Sequence, residues 1–110
     1  MYYRGASAAV IVYDITKKES FDTMKKWIDE LKARAAPGIV LALAGNKIDL
    51  EDQRLVTKSD AENYIRNYQD TYGDCPIFGE CSAKTGEGVQ EIFTQICKKL
   101  INLSENENKQ

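Results

Sequence analysis

The 110-residue chain contains no histidine, only two prolines and three cysteines. Without histidine it offers no nucleophile–base pair that suggests catalysis. Cys75, Cys81 and Cys97 are odd in number and follow no metal-ligand spacing, and a reducing, cytoplasmic compartment suits them. No apolar run reaches the roughly 20 residues of a membrane span. The opening Met1-Tyr2-Tyr3-Arg4-Gly5 has no secretory pattern behind it. The formal net charge of −2 argues against nucleic acid as the main partner. Nowhere is there a G-x-x-x-x-G-K-[ST] loop to cradle phosphates.

What is present reads as one α/β domain. Apolar residues make up 43% of the chain and charged residues 29%, ordinary values for a globular protein. Ser7 to Ile15, centred on Val10-Ile11-Val12-Tyr13, predicts a strand buried on both faces, as in a parallel sheet. Thr16-x-x-Glu19 has the spacing of a helix capping box. Phe21, Met24, Ile28 and Leu31 follow at helical intervals, with Trp27 beside them as packing. Asp22–Lys26, Lys26–Glu30 and Glu30–Arg34 are spaced as i,i+4 pairs, and Pro37-Gly38 breaks the helix.

Ile39 to Ala44 predicts a second strand and Asn46 to Val56 a polar loop. Thr57-x-x-Asp60 opens a second helix with Ala61, Tyr64, Ile65 and Tyr68 inward. Ile77 to Cys81 is a third strand. Thr85-Gly86-Glu87-Gly88 leads into a last helix with Val89, Ile92, Phe93, Ile96 and Leu100 inward. Cys81 and Cys97 fall in apolar patterns and read as core filling. Residues 1–103 make the domain, and the polar residues 104–110 are expected to be disordered. The order β-α-β-α-β-α implies a parallel three-stranded sheet with right-handed crossovers, and ligands bind such sheets beyond the carboxyl ends of the strands.

Two short motifs fall at those ends: Asn46-Lys47-Ile48-Asp49 after the second strand, and Ser82-Ala83-Lys84 after the third. Asn-Lys after glycine is also plain turn chemistry, so neither motif speaks alone. Together they suit guanine. Its N1–H and exocyclic amino group are adjacent donors, and the acceptor-only carboxylate of Asp49 can take both. Adenine would set an acceptor lone pair against that carboxylate. Hydrogen bonds to charged groups are worth roughly 1.5–3 kcal/mol, so one aspartate shifts base preference by a few powers of ten. Asn46 can bond the base edge and tie neighbouring loops. Lys47 and Lys84 can lay alkyl stems along the base faces. The Ala83 N–H is a candidate donor to guanine O6.

These motifs are the point at which the chain resembles the Rab-type small GTPases of the Ras superfamily, in their C-terminal half. Tyr2-Tyr3-Arg4-Gly5-Ala6 with Val12-Tyr13-Asp14-Ile15-Thr16 is similar to the Rab signature. Gly45-Asn46-Lys47-Ile48-Asp49-Leu50 and Cys81-Ser82-Ala83-Lys84-Thr85 resemble the two base-specificity motifs, with Cys81 where the family usually has threonine. The run Ile39 to Lys47 is most similar to the early-endosomal branch. The resemblance implies half of a P-loop NTPase fold. It also implies that Asn46 and Asp49 read the base, Lys47 and Lys84 cover its faces, Ala83 bonds O6 and Ser82 braces Asp49.

The family's phosphate loop, switch threonine, D-x-x-G segment and catalytic glutamine have no counterpart in these residues. No catalytic residue, Mg²⁺ ligand or GTP hydrolysis is therefore expected of this chain, and Mg²⁺ belongs to a full-length parent. GDP or GTP binding is expected to be weak, since base contacts alone give on the order of millimolar affinity. The chain also lacks the prenylated cysteines that anchor such proteins to membranes. The parent family recruits effectors and regulators on endosomal membranes. The strand around Val10–Tyr13, without the family's neighbouring strand, is expected to be a sticky edge for self-association. A non-catalytic interaction module without useful nucleotide affinity is the competing reading.

Overall fold

A continuous apolar run needs cover on both sides, and Val40–Asn46 obtains it by sitting at the centre of the sheet. The computed structural model describes residues 8–34 and 39–108. The elements are β1 (Ala8–Asp14), α1 (Lys18–Arg34), β2 (Val40–Asn46), a 3-10 segment (Ile48–Gln53), α2 (Lys58–Tyr72), β3 (Ile77–Glu80) and α3 (Val89–Asn108). The three strands are parallel in the order β1-β2-β3. Asp14 pairs with Asn46 at the end of the first ladder, and Gly45 with Glu80 at the end of the second.

Alternation along β2 sends Leu41 and Leu43 to one face and Val40, Ala42 and Ala44 to the other. The first face joins Ile11 and Tyr13 of β1 to Phe21, Met24, Ile28 and Leu31 of α1, and to Ala61 and Tyr68 of α2. The second joins Ile77 and Cys81 to Ile92 and Ile96 of α3. The helical stripe expected on α1 is thus the buried one. Trp27 lies beside it but is 45% exposed, so it packs far less than its position suggested.

β1 is covered on one face only, contrary to the expectation from its sequence. Val10 is 39% and Val12 54% exposed, because α3 lies over β2 and β3 and leaves this flank open among the described residues. For the same reason Phe93 is 55% exposed rather than inward, and Cys97 is exposed rather than core. Cys81 is buried as expected.

The two capping-box spacings part ways. Thr57 and Asp60 form the reciprocal pair at the start of α2, with both bonds at 3.0 Å. Thr16 instead donates its hydroxyl to Asp14 at 2.6 Å, closing a turn at the end of β1. On α1, Glu30–Arg34 is present at 3.8 Å, while Asp22 turns to Lys25 at 3.7 Å. Pro37-Gly38 and the N-terminal Tyr2–Ala6 stretch lie outside the described residues. The backbone of α3 continues to Asn108. No glycine or proline interrupts that stretch, and each added helical residue costs little once a helix is nucleated.

Candidate functional site

The site is built where β2 and β3 end. The ladder between them outlasts β3: Cys81 N–H donates to Gly45 O at 2.8 Å, and Ile48 N–H donates to Cys81 O at 3.2 Å. The two loops that carry the motifs are thereby stitched together at the sheet's carboxyl edge. Gly45 is required at this point, since a Cβ there would lie 2.7 Å from the Tyr13 hydroxyl.

The chain then turns through Lys47, which has φ 75°. This left-handed backbone costs a non-glycine residue about 1–2 kcal/mol. Strain of this kind gathers at functional sites and is held by its surroundings. Here Leu50 N–H donates to Lys47 O at 2.9 Å, and the Lys47 ammonium pairs with Asp14 at 2.9 Å. Burial would raise the Asp14 carboxyl, but the Thr16 hydroxyl and Lys47 outweigh it and hold the group at about 2. Asp14 is therefore ionised across the physiological range.

Side chains complete the link. Ser82, fully buried, donates its hydroxyl to Asp49 Oδ1 at 2.8 Å. The Ser82 hydroxyl oxygen in turn accepts from Thr85 N–H at 3.1 Å. Asn46 Oδ1 accepts from the Ala83 N–H at 2.9 Å. Asn46, Asp49, Ser82 and Ala83 thus form one connected group, with Lys47 at its margin. Lys84 is exposed and makes no hydrogen bond or ion pair among the described residues. The Ala83 N–H, which the sequence offered to a base oxygen, here belongs to Asn46. A base would compete for it.

Among the described residues the exposed Asp49 uses only Oδ1, leaving Oδ2 open, and Asn46 uses only its oxygen, leaving its amide protons open. Asn46 and Ala83 also rim an apolar groove of about 200 Å³ lined by Val10, Val12, Ala44 and Phe93. Among the described residues no group of three or more His, Cys, Asp or Glu side chains is placed to hold a metal ion.

Asp14 is the residue that sequence reasoning passed over, taking it only as part of a signature. A carboxylate closing a parallel strand, in register with Asn46 of the base motif, was the signal available.

Comparison with known proteins agrees with this geometry. A family model described as Ras family matches residues 1–102. The chain is 50% identical over 101 residues to a putative ras-related protein Rab-5B of Dictyostelium discoideum, covering 92% of this chain and 44% of that protein. It is 47% identical over 108 residues to Ras-related protein RABF2b of Arabidopsis thaliana, covering 98% and 51%. It is 44% identical over 106 residues to Ras-related protein Rab-22A of Homo sapiens, covering 96% and 52%. The chain spans about half the length of the curated relatives it matches. With its parallel sheet, the Asn46–Asp49 and Ser82–Lys84 motifs joined at one edge and these relatives, the chain belongs to the Ras family, in the Rab-type, early-endosomal branch.

Proposed function

We propose that this chain is the guanine-recognition half of a Rab-like small GTPase of endosomal vesicle traffic. The observation that carries the reading is the 2.8 Å bond from the buried Ser82 hydroxyl to Asp49 Oδ1. It fixes the carboxylate at the sheet edge and leaves Oδ2 for the adjacent N1–H and amino donors of guanine. Asn46 supplies a donor to the base edge, Lys47 and Lys84 cover its faces, and the Ala83 N–H exchanges Asn46 for O6. Hydrolysis needs phosphate positioning and charge stabilisation, for which these residues provide no loop. GTP turnover, Mg²⁺ binding and the recruitment of effectors and regulators are therefore proposed only for a protein carrying the rest of the family's fold. A peripheral place on endosomal membranes, reached from the cytoplasm, is proposed with them. No helix among the described residues is long and apolar enough to cross a membrane.

Titration of the chain with fluorescent GDP, against fluorescent ADP as control, tests the reading. Selective GDP binding near millimolar that Asp49→Ala abolishes is expected. Equal binding of both nucleotides, or of neither, overturns it.

One observation favours the interaction-module reading: the exposed Val10, Val12 and Phe93 beside an edge strand. It predicts self-association through Val10–Tyr13. A monomer by light scattering at high concentration refutes that.

A further inference from the structure

Arg54 stands five residues beyond Asp49 and belongs to neither base motif, yet all five of its N–H donors are engaged. Nη1 donates to Glu80 Oε2 at 2.7 Å and to Val56 O at 2.9 Å. Nη2 donates to Glu80 Oε1 at 2.8 Å and to Glu51 Oε2 at 2.7 Å, and Nε to Glu51 Oε1 at 2.8 Å. Both carboxylates are held in two-pronged fashion, a geometry that only a guanidinium provides. The Arg54 side chain is 14% exposed and that of Glu80 7%. The Arg54–Glu80 pair is therefore largely desolvated, while the Glu51 side chain, 66% exposed, joins it from the surface.

Its position along the chain gives it meaning. Glu51 lies two residues after Asp49, in the same 3-10 segment. Glu80 ends β3, two residues before Ser82. Ser82 in turn bonds Asp49. The path from Asp49 to Glu51, Arg54, Glu80, Ser82 and back to Asp49 is closed. The segment that presents the base-reading carboxylate is thus fastened to the strand that presents its brace.

From this closed circuit we propose that Arg54 is a positioning residue for guanine selectivity, setting the place of Asp49 through Glu51 and Glu80. The proposal rests on the guanine reading above. Lysine at this position keeps the charge but cannot hold two carboxylates and a carbonyl in one plane. Asp49 then shifts relative to Ser82 while the sheet and its two cores stay as they are.

The test uses the chain with Arg54→Lys and, separately, Glu80→Gln, which keeps its volume and breaks one prong. Amide hydrogen exchange without nucleotide reads the positioning directly. Exchange at Ile48, Ala83 and Thr85 is expected to speed up roughly tenfold, with β1 and α1 amides unchanged. Titration then reads the consequence: GDP affinity falls roughly tenfold while the weak ADP affinity stays put, so selectivity drops. Unchanged exchange in both variants overturns the proposal. Uniform acceleration across every element also overturns it, because Arg54 then serves only general stability. A wild-type chain that binds GDP selectively, with variants that bind it equally well, overturns this proposal alone. A wild-type chain that binds neither nucleotide overturns the guanine reading and this proposal with it.

Discussion

Replacing Tyr13 with phenylalanine is expected to stabilise the protein. The Tyr13 ring is 2% exposed and packs edge-on against Phe21, with centroids 5.1 Å apart. Its hydroxyl is buried and has no hydrogen-bond partner among the described residues. A buried hydroxyl left unpaired costs about 1–3 kcal/mol, and phenylalanine keeps every ring contact while removing that cost. Some packing around the lost oxygen is forfeited, so a net gain of about 1 kcal/mol is expected, worth about 4–8 °C in Tm for a domain of this size. Alkali provides a second reading. Burial, then the Glu80 carboxylate, push the Tyr13 phenol well above its usual 10.0, with Arg54 opposing. A group whose folded value is raised contributes fully below the unfolded value and loses that contribution as pH climbs past it. At pH 11 the unfolded wild type is stabilised by ionisation of this phenol by about 1.4 kcal/mol relative to the variant. Tyr64, also pushed up to about 12, is common to both proteins and cancels. Urea denaturation at pH 7 and pH 11 measures both quantities. A variant less stable than wild type by 1 kcal/mol or more would mean that an ordered water satisfies the hydroxyl, and the reasoning fails.

Two further outcomes follow from local geometry. Thr57→Ala removes the acceptor of the 3.0 Å bond from Asp60 N–H and should cost about 1 kcal/mol in urea denaturation. GDP binding should not change, and an unaltered midpoint would show that the cap contributes nothing. Gly88→Ala should be far worse. Gly88 has φ 78°, and a Cβ there would meet the Glu80 carbonyl oxygen at 2.2 Å. The turn must move together with the end of β3 that leads into Ser82, so a loss of at least about 2 kcal/mol accompanied by loss of base binding is expected. Retained GDP binding would uncouple this turn from the site.

How much of this was legible depended on how local each signal is. β2 was readable because an uninterrupted apolar run bounded by glycine has one simple explanation, burial on both faces. β1 carries an equally β-branched run, yet only one face is covered. Sequence reports that a residue can be buried, while coverage of Val10 and Val12 depends on which element lies over them. Phe93 and Cys97 failed for the same reason: both sit on a helix whose buried stripe narrows to Ile92 and Ile96. Thr16 and Thr57 share a capping spacing, and only the tertiary neighbour separates them, since Asp14 takes the Thr16 hydroxyl. The meeting of the two motifs was legible because both follow the carboxyl ends of neighbouring parallel strands, where Ser82 reaches Asp49 and the Ala83 N–H reaches Asn46. The pairing of Arg54 with Glu80 spans 26 positions, and nothing local to either residue announces it.

The geometry also separates selectivity from affinity. The contacts that place Asp49 among the described residues are Ser82 on its carboxylate, Cys81 O on Ile48 N–H, and Ile15 O accepting from Leu55 and Val56 N–H at 2.7 and 2.9 Å as the loop returns to β1. Contacts to phosphates would multiply the affinity for GDP and ADP by the same factor, because the two nucleotides differ only in the base. Selectivity is the ratio of the two affinities, and that common factor divides out. A base pocket assembled from β2, β3 and their loops should therefore discriminate guanine from adenine by the same ratio whether binding is millimolar or far tighter. A GDP-to-ADP ratio near one in this chain, beside a large ratio in a longer relative, would mean that discrimination resides in residues outside this pocket.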